Sequence, residues 1–307
     1  MKEQQENDFS ARIRQRIEFL EGELARFSEL VRTFDPPPGE LPEVPWIDVY
    51  GESMPRNRQA GGDHIIYIDF KKRYKMEKLI RNAPEPLKKK LRATAARAGI
   101  VVLDVEGHDF SSALIASVFH QAFLLGVSYE LQFFGEITTN LLENINTRFF
   151  NSSGISKTLT MVYGEISANG TFRFISAAHP PPMVFSHKFD RLVAISEERL
   201  TSFPQIGTMP SPGNSEITVP LLGIKEKYTV NEINLMGRGD ILVLYTDGLS
   251  DHQDARGEKY FPGRLEAQLK ESKHLSARDI FRRIKEDMIA FNDQPGDDIT
   301  FVIIKKI

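Results

Sequence analysis

The sequence predicts an α+β sandwich: two mainly antiparallel sheets with helices covering both. Three observations carry this expectation. Hydrophobic runs of strand length recur from residue 47 to the C-terminus, and long helical stretches fall between clusters of them rather than alternating one for one. Aspartates stand at the ends of four such runs: Asp63 opens HIIYIDF, Asp104 closes GIVVLD, Asp247 closes ILVLYTD, and the pair Asp297-Asp298 opens ITFVII. If the strands opened by Asp63 and Asp297 run antiparallel to those closed by Asp104 and Asp247, all of these carboxylates reach one edge of the fold.

The first element is an amphipathic helix over about residues 8–33. In it Ile13, Ile17, Leu20, Leu24, Phe27 and Val31 alternate steps of four and three, the spacing of a coiled-coil seam. Asp8 or Ser10 suits its start as a cap. The seam either packs on its own domain or pairs with a second copy as a homodimer, and its shortness calls for support from the domain behind it. The prolines of residues 34–46 exclude helix and regular sheet interior. The expected organisation is therefore an N-terminal helix over 1–33, a Pro-rich linker over 34–46 and a main domain over 47–307.

Within that domain IDVYGES, HIIYIDF, GIVVLDV, LTMVYGEIS, TFRFISA, PMVFS, RLVAI, TVNEINL, ILVLYTD and ITFVIIKK read as strands, with Asn169-Gly170 as a hairpin turn. Ser111–Leu125, Glu130–Phe149 and Ala277–Phe291 read as helices, the last with Phe281, Ile284, Met288 and Phe291 on one face. Residues 71–98 hold eleven Lys or Arg against two Glu, a local charge of +9. They read as a basic helical insertion, turned at Pro84 and Pro86. It joins the strand opened by Asp63 to the strand closed by Asp104, so it belongs at the sheet end away from the aspartates. A solvated surface is the plain reading, and a docking site for an acidic partner the functional one.

Composition narrows the function. A chain of 307 residues, 41% hydrophobic, buries a substantial core, and 39 basic against 42 acidic residues leave a net charge of −3. No nucleic-acid partner is expected. With no cysteine, disulfides, thiolate zinc sites and a cysteine nucleophile are excluded. The N-terminus is polar and no apolar run reaches the roughly 18 residues of a membrane span, so the expected setting is soluble and cytoplasmic, without a membrane partner.

A single aspartate at a strand end is ordinarily a turn former, and Asp247-Gly248 alone reads as a tight turn. Four that recur at convergent strand ends read differently. Gathered carboxylates repel one another unless cations sit between them, and hard, oxygen-seeking Mg²⁺ or Mn²⁺ are the natural occupants. His179 reads as a hydrogen-bonded structural residue because such ions favour oxygen; His64 and His108, beside the aspartates, are candidate proton donors.

GGDHIIYIDF, VVLDVEGHDFSSALIA, FRFISAAHPPPMVF, GDILVLYTDGLSDHQDARGEKY and GDDITFVII resemble, in order, the motifs of bacterial metal-dependent Ser/Thr protein phosphatases of the SpoIIE/RsbU type, relatives of the protein phosphatase 2C family. The resemblance implies a four-layer αββα sandwich and a site of two Mn²⁺ or Mg²⁺ ions, with room for a third, weaker one. It implies that Asp63, Asp104, Asp247 and Asp297 serve catalysis through a metal-activated water. They and the Val105 carbonyl would ligate the metals, with Asp298 beside Asp297 in the pair and Asp251 at the weaker position. Arg58 is the implied phosphate clamp, with Arg56 as its rival. The implied substrate is a phosphorylated regulator of the anti-anti-sigma-factor (STAS) type. Gly107-His108-Asp109 departs from the family's usual GHG or GKG and places an extra acid beside the expected metals. This departure keeps open a phosphatase-like scaffold that binds a phosphoprotein without turning it over. A metal-dependent hydrolase of small phosphoesters is a third reading.

Overall fold

Alternation along two neighbouring strands sets the architecture. All six residues of the strand His64–Asp69 are buried, but to opposite sides: Ile65 and Tyr67 enter one hydrophobic core, Ile66 and Ile68 another. Its partner Arg97–Val105 divides the same way, with Ile100 and Val102 against Val101 and Leu103. A sheet buried on both faces lies between a second sheet and a layer of helices.

The computed structural model describes residues 2–33, 41–56, 61–152, 157–193, 195, 200–214, 222–234 and 237–307. Its elements are α1 (Lys2–Arg32), β1 (Ile47–Met54), β2 (His64–Asp69), α2 (Phe70–Arg73), α3 (Met76–Asn82), α4 (Glu85–Ala95), β3 (Arg97–Val105), α5 (Phe110–Phe133), α6 (Thr139–Asn151), β4 (Leu159–Ser167), β5 (Phe172–Ala177), β6 (Met183–Ser186), β7 (Arg191–Val193), β8 (Ser202–Phe203), β9 (Asn231–Ile233), β10 (Ile241–Tyr245), α7 (Asp247–Ser250), α8 (Gly263–Ser272), α9 (Ala277–Phe291) and β11 (Ile299–Lys306). One sheet has the order β1-β11-β10-β6-β7; the other has β2-β3-β4-β5-β8, with β9 also paired to β5. Every strand pair is antiparallel except β5 with β8.

Three cores stack through the molecule. The middle one joins both sheets, through Val49, Val302 and Leu244 from one and Tyr67, Val102 and Phe172 from the other. Outside it, Phe119, Phe123 and Phe149 of α5 and α6 pack on the β2–β5 sheet, and Leu265, Phe281 and Ile284 of α8 and α9 pack on the β10–β11 side. The result is the four-layer αββα sandwich, preceded by the N-terminal helix. Burying each of these phenylalanines contributes about 1.5–3 kcal/mol relative to leaving it exposed.

The boundaries of α5 differ from the sequence expectation. One helix runs through residues 126–129, and the break falls at Phe134–Thr138, before α6. Gly126 does not end the helix; a Cβ there would lie 2.1 Å from Leu141, so it lets α5 and α6 approach. The terminator is Gly135, at φ +74, whose N–H meets the carbonyls of Glu130 and Leu131. At 24 residues α5 is also long and apolar enough, by length and composition, to cross a membrane, contrary to the expectation of no such run. Ala113, Ala116, Phe119, Phe123, Val127 and Leu131 are buried in the helix-layer core, so it is a core helix of this fold.

The basic stretch joins β2 to β3 at the end where Asp69 pairs with Ala98, opposite the end bearing Asp63 and Asp104. It is built into the helix layer: Met76 and Leu91 are buried there, and Thr94 Oγ1 donates to the Gly135 carbonyl at 2.9 Å. The helix α1 spans about 46 Å. It touches α5 near its C-terminal end, with the Phe27 and Phe110 rings 5.9 Å apart. Ile13, Ile17, Leu20 and Leu24 remain 44–48% exposed. Residues 34–40 of the expected linker lie outside the described residues.

Candidate active site

Pleat and strand direction bring the acidic residues together. Because β2 pairs antiparallel with β3, and β10 with β11, Asp63, Asp104, Asp247 and Asp297 share one end of the two sheets. Asp63 continues the side of Ile65 and Tyr67, and Asp104 that of Ile100 and Val102, so both belong to the cleft between the sheets. Thr246, fully buried, closes that cleft: its hydroxyl donates to Asp63 Oδ2 at 2.8 Å and accepts the Thr300 amide at 3.0 Å.

Two glycines permit the approach. A Cβ on Gly62 would stand 2.2 Å from the Val105 carbonyl oxygen and 2.7 Å from that of Gly107, and one on Gly248 would stand 1.9 Å from the Asp298 carbonyl. The Gly62 contact turns the Val105 oxygen toward the segment that carries Asp63.

The electrostatics record the crowding. Burial, then the charge of Asp104, holds the Asp63 carboxyl well above the usual range, against the Thr246 hydrogen bond that favours its ionised form. Asp104 is pushed up to about 7 by burial and by Asp247, Asp297 and Asp298. Asp247, exposed at the rim, is raised by partial desolvation and by Asp297 and Asp251. Each carboxylate resists ionising beside the others.

The Asp297-Asp298 pair divides its work. Asp298 is 3% exposed and accepts the Arg56 and Gly62 amides, one on each oxygen, both at 2.7 Å. It pins the backbone on either side of residues 57–60. Asp297 is exposed, turns one oxygen to the Asp298 amide at 2.9 Å, and lies in the field of Asp104 and Asp247. Asp251 is salt-bridged to Lys259 at 2.9 Å, so a cation bound there must compete with that ammonium.

Other expected site residues are placed differently. Arg56 is exposed at the rim with Nη1 3.4 Å from His108 Nε2; Arg58 lies outside the described residues. The His64 ring shares the side of Ile66 and Ile68, away from the carboxylates, with Nε2 2.6 Å from His120 Nδ1, which removes it as a proton donor there. His179 is buried, pushed down to about 3 by desolvation, and has Nδ1 2.9 Å from Thr160 Oγ1, a structural residue. Asp109 does not add a charge to the cluster. Its carboxylate caps α5 by accepting the Ser112 amide at 3.0 Å and pairs with Lys157 at 2.8 Å, which hold it well below the usual range. The serine two and three places on from an Asp, at a helix start, was the sequence signal for that role.

The donor set suits a hard divalent cation. Among the described residues no three His, Cys, Asp or Glu side chains form a ready-made cage. Mg²⁺ and Mn²⁺ keep several waters and need only a few protein oxygens, and an all-oxygen set in which Asp63, Asp104 and Asp247 resist ionisation for want of positive charge fits them.

The family model described as Stage II sporulation protein E (SpoIIE) matches residues 94–306. No curated protein matches the chain. Among solved structures, the SiaA-PP2C domain of Pseudomonas aeruginosa is similar over 94% of this chain and 98% of that one, with 14% identity and a TM-score of 0.64. The RsbU and RsbW domains of a Mycobacterium tuberculosis protein match over 87% of this chain at 20% identity and a TM-score of 0.57. The PP2C phosphatase domain of Bacillus subtilis SpoIIE, with a fragment of its regulatory domain, matches over 85% at 13% identity and a TM-score of 0.58. This chain spans 61% of the length of each of the last two. At these identities the likeness is one of fold.

Proposed function

We propose that this chain, which belongs to the stage II sporulation protein E (SpoIIE) family, is a divalent-metal-dependent phosphoserine/phosphothreonine protein phosphatase. Its substrate, on this reading, is a small phosphorylated regulator of the STAS type, as the ordered motifs imply. The observation that carries the proposal is the convergence of Asp63, Asp104 and Asp247 from two sheets, with full or partial desolvation and mutual repulsion raising all three pKa values.

Asp63, Asp104, Asp247, Asp297 and the Val105 carbonyl would hold Mg²⁺ or Mn²⁺, which when bound acidifies water and offsets charge on phosphoryl oxygens. The chain's own residues position the rest. Thr246 fixes the Asp63 carboxylate, and Asp298 fixes the Arg56 and Gly62 amides. Arg56, with its amide so held, presents a planar guanidinium at the rim, where it can meet two oxygens of an arriving phosphate. His108 beside it is the candidate to protonate the departing seryl or threonyl oxygen. No side-chain nucleophile is required.

The exposed seam of α1 supports a homodimer. In a parallel, in-register pair, Ile17 and Leu24 take one core position and Ile13 and Leu20 the other, which sets Arg16 opposite Glu21 of the second copy, twice by symmetry. The scaffold reading rests on Asp109 and the basic insertion, and the assignment of Asp109 to a helix cap takes away the first of these. Phosphate release from a phosphoserine peptide with Mn²⁺ tests the proposal. Turnover by the wild type and its loss in Asp247→Asn are expected; equal rates in both would overturn it.

A further inference from the structure

Beside Asp247 the cleft opens into a cavity of about 480 Å³, between the end of the β2–β5 sheet and the loop that leads to β6. Phe174, Pro180, Pro181 and Leu200 give it apolar walls, and Ser176 and Ser202 add hydroxyls. Among the described residues lining it, Asp247 is the charged one, because burial keeps His179 neutral.

The walls are set in advance. Ala178, at φ 50, turns the chain sharply after β5. The His179 ring is held at Thr160, and Ser176 Oγ donates to the His179 carbonyl at 3.3 Å. The far wall is tied to β5 by the parallel pairing of Ser176 with Ser202. A cavity that needs no rearrangement to admit a side chain binds it at low cost in ordering.

We propose that this cavity is a specificity subsite: it receives an uncharged, apolar side chain flanking the phosphorylated serine or threonine of the substrate protein and rejects an acidic one. The inference rests on the phosphatase reading and deepens it. A phosphate held at the carboxylate cluster stands next to Asp247, and Asp247 also bounds the cavity. In an extended peptide, side chains two residues apart point to the same side about 7 Å from one another, so a near neighbour of the phosphoresidue reaches the opening. An aliphatic side chain there leaves water for Phe174, Leu200 and the two prolines. A carboxylate would lose its hydration against the same apolar walls, with no Lys or Arg among the described lining residues to meet it.

The test is steady-state kinetics with Mn²⁺ on a set of phosphoserine peptides that carry Leu or Asp at each of the two positions before and after the phosphoserine, alongside p-nitrophenyl phosphate. The wild type is expected to favour Leu over Asp by about tenfold or more in kcat/KM at one of these positions. In Leu200→Lys that ratio should fall or invert, and Ser202→Trp, which fills the mouth from an exposed strand edge, should bring it toward one. Turnover of p-nitrophenyl phosphate with no Leu/Asp preference in the wild type, or with a preference that neither variant changes, overturns the subsite and leaves the phosphatase reading standing. Failure to turn over p-nitrophenyl phosphate and every peptide overturns the phosphatase reading, and the subsite with it.

Discussion

Thr246, at the end of β10, donates its hydroxyl to Asp63, at the head of β2, across 2.8 Å. That hydrogen bond ties one sheet to the other where the carboxylates gather, and the same oxygen receives the Thr300 amide. Thr246→Val keeps the shape but leaves a buried amide and a buried carboxylate each short of a partner. We expect it to lower unfolding free energy by about 1–3 kcal/mol in urea titrations and to weaken Mn²⁺ binding. Thr246→Ser should recover most of both. A valine variant as stable as wild type would show that the link carries no load.

The metal-free protein should lose stability as pH rises. Asp104 has a folded pKa of about 7 against 3.8 for an unperturbed aspartate. The folded state thus binds its proton more tightly than the unfolded state does, and stability falls as pH climbs from about 4 through 7. Asp63, raised for the same reasons, adds in the same direction. Thermal unfolding in EDTA should show a lower Tm at pH 7.5 than at pH 5.5, and millimolar Mn²⁺ should restore more at the higher pH, where the ligands are deprotonated. A metal-free Tm that rises across this interval would contradict the crowding of these carboxylates.

Asp109 should matter to stability and not to metal. Asp109→Ala removes the α5 cap and the Lys157 pair, with an expected cost of about 1 kcal/mol by denaturant unfolding. Calorimetric Mn²⁺ affinity should stay within about twofold, since the cap is worth only that local helix stability. A large change in affinity would return Asp109 to the site.

The helix α1 tests the oligomer. Its seam residues Leu20 and Leu24 are 45% and 46% exposed, so Leu20→Glu with Leu24→Glu should leave the domain folded. Light scattering is expected to give a dimer mass for wild type and a monomer mass for the variant. Identical masses would refute pairing through this helix.

The aspartates at strand ends were legible because the pleat has a period of two: once Ile65 and Tyr67 are assigned to one face, Asp63 must join them, and antiparallel pairing does the rest. The Asn169-Gly170 hairpin was legible for a similar local reason, with Gly170 at φ +89. What local pattern could not supply was partnership at a distance. The division between Asp297 and Asp298 depends on amides 242 and 236 residues away. The pleat alone sends His64 to the side of Ile66 and Ile68; what it could not supply was the ring's partner, His120, on another element. The end of α5 was misplaced because Gly126 serves packing against Leu141, while Gly135 carries the left-handed turn.

Isothermal titration of Mn²⁺ into the metal-free protein at pH 7.5, for wild type and Asp63→Ala, bears most directly on the carboxylate cluster as a cation site. Micromolar-to-millimolar binding that releases protons in the wild type and disappears in Asp63→Ala is the expected result. Absence of binding in the wild type, or the same isotherm in both proteins, would contradict it.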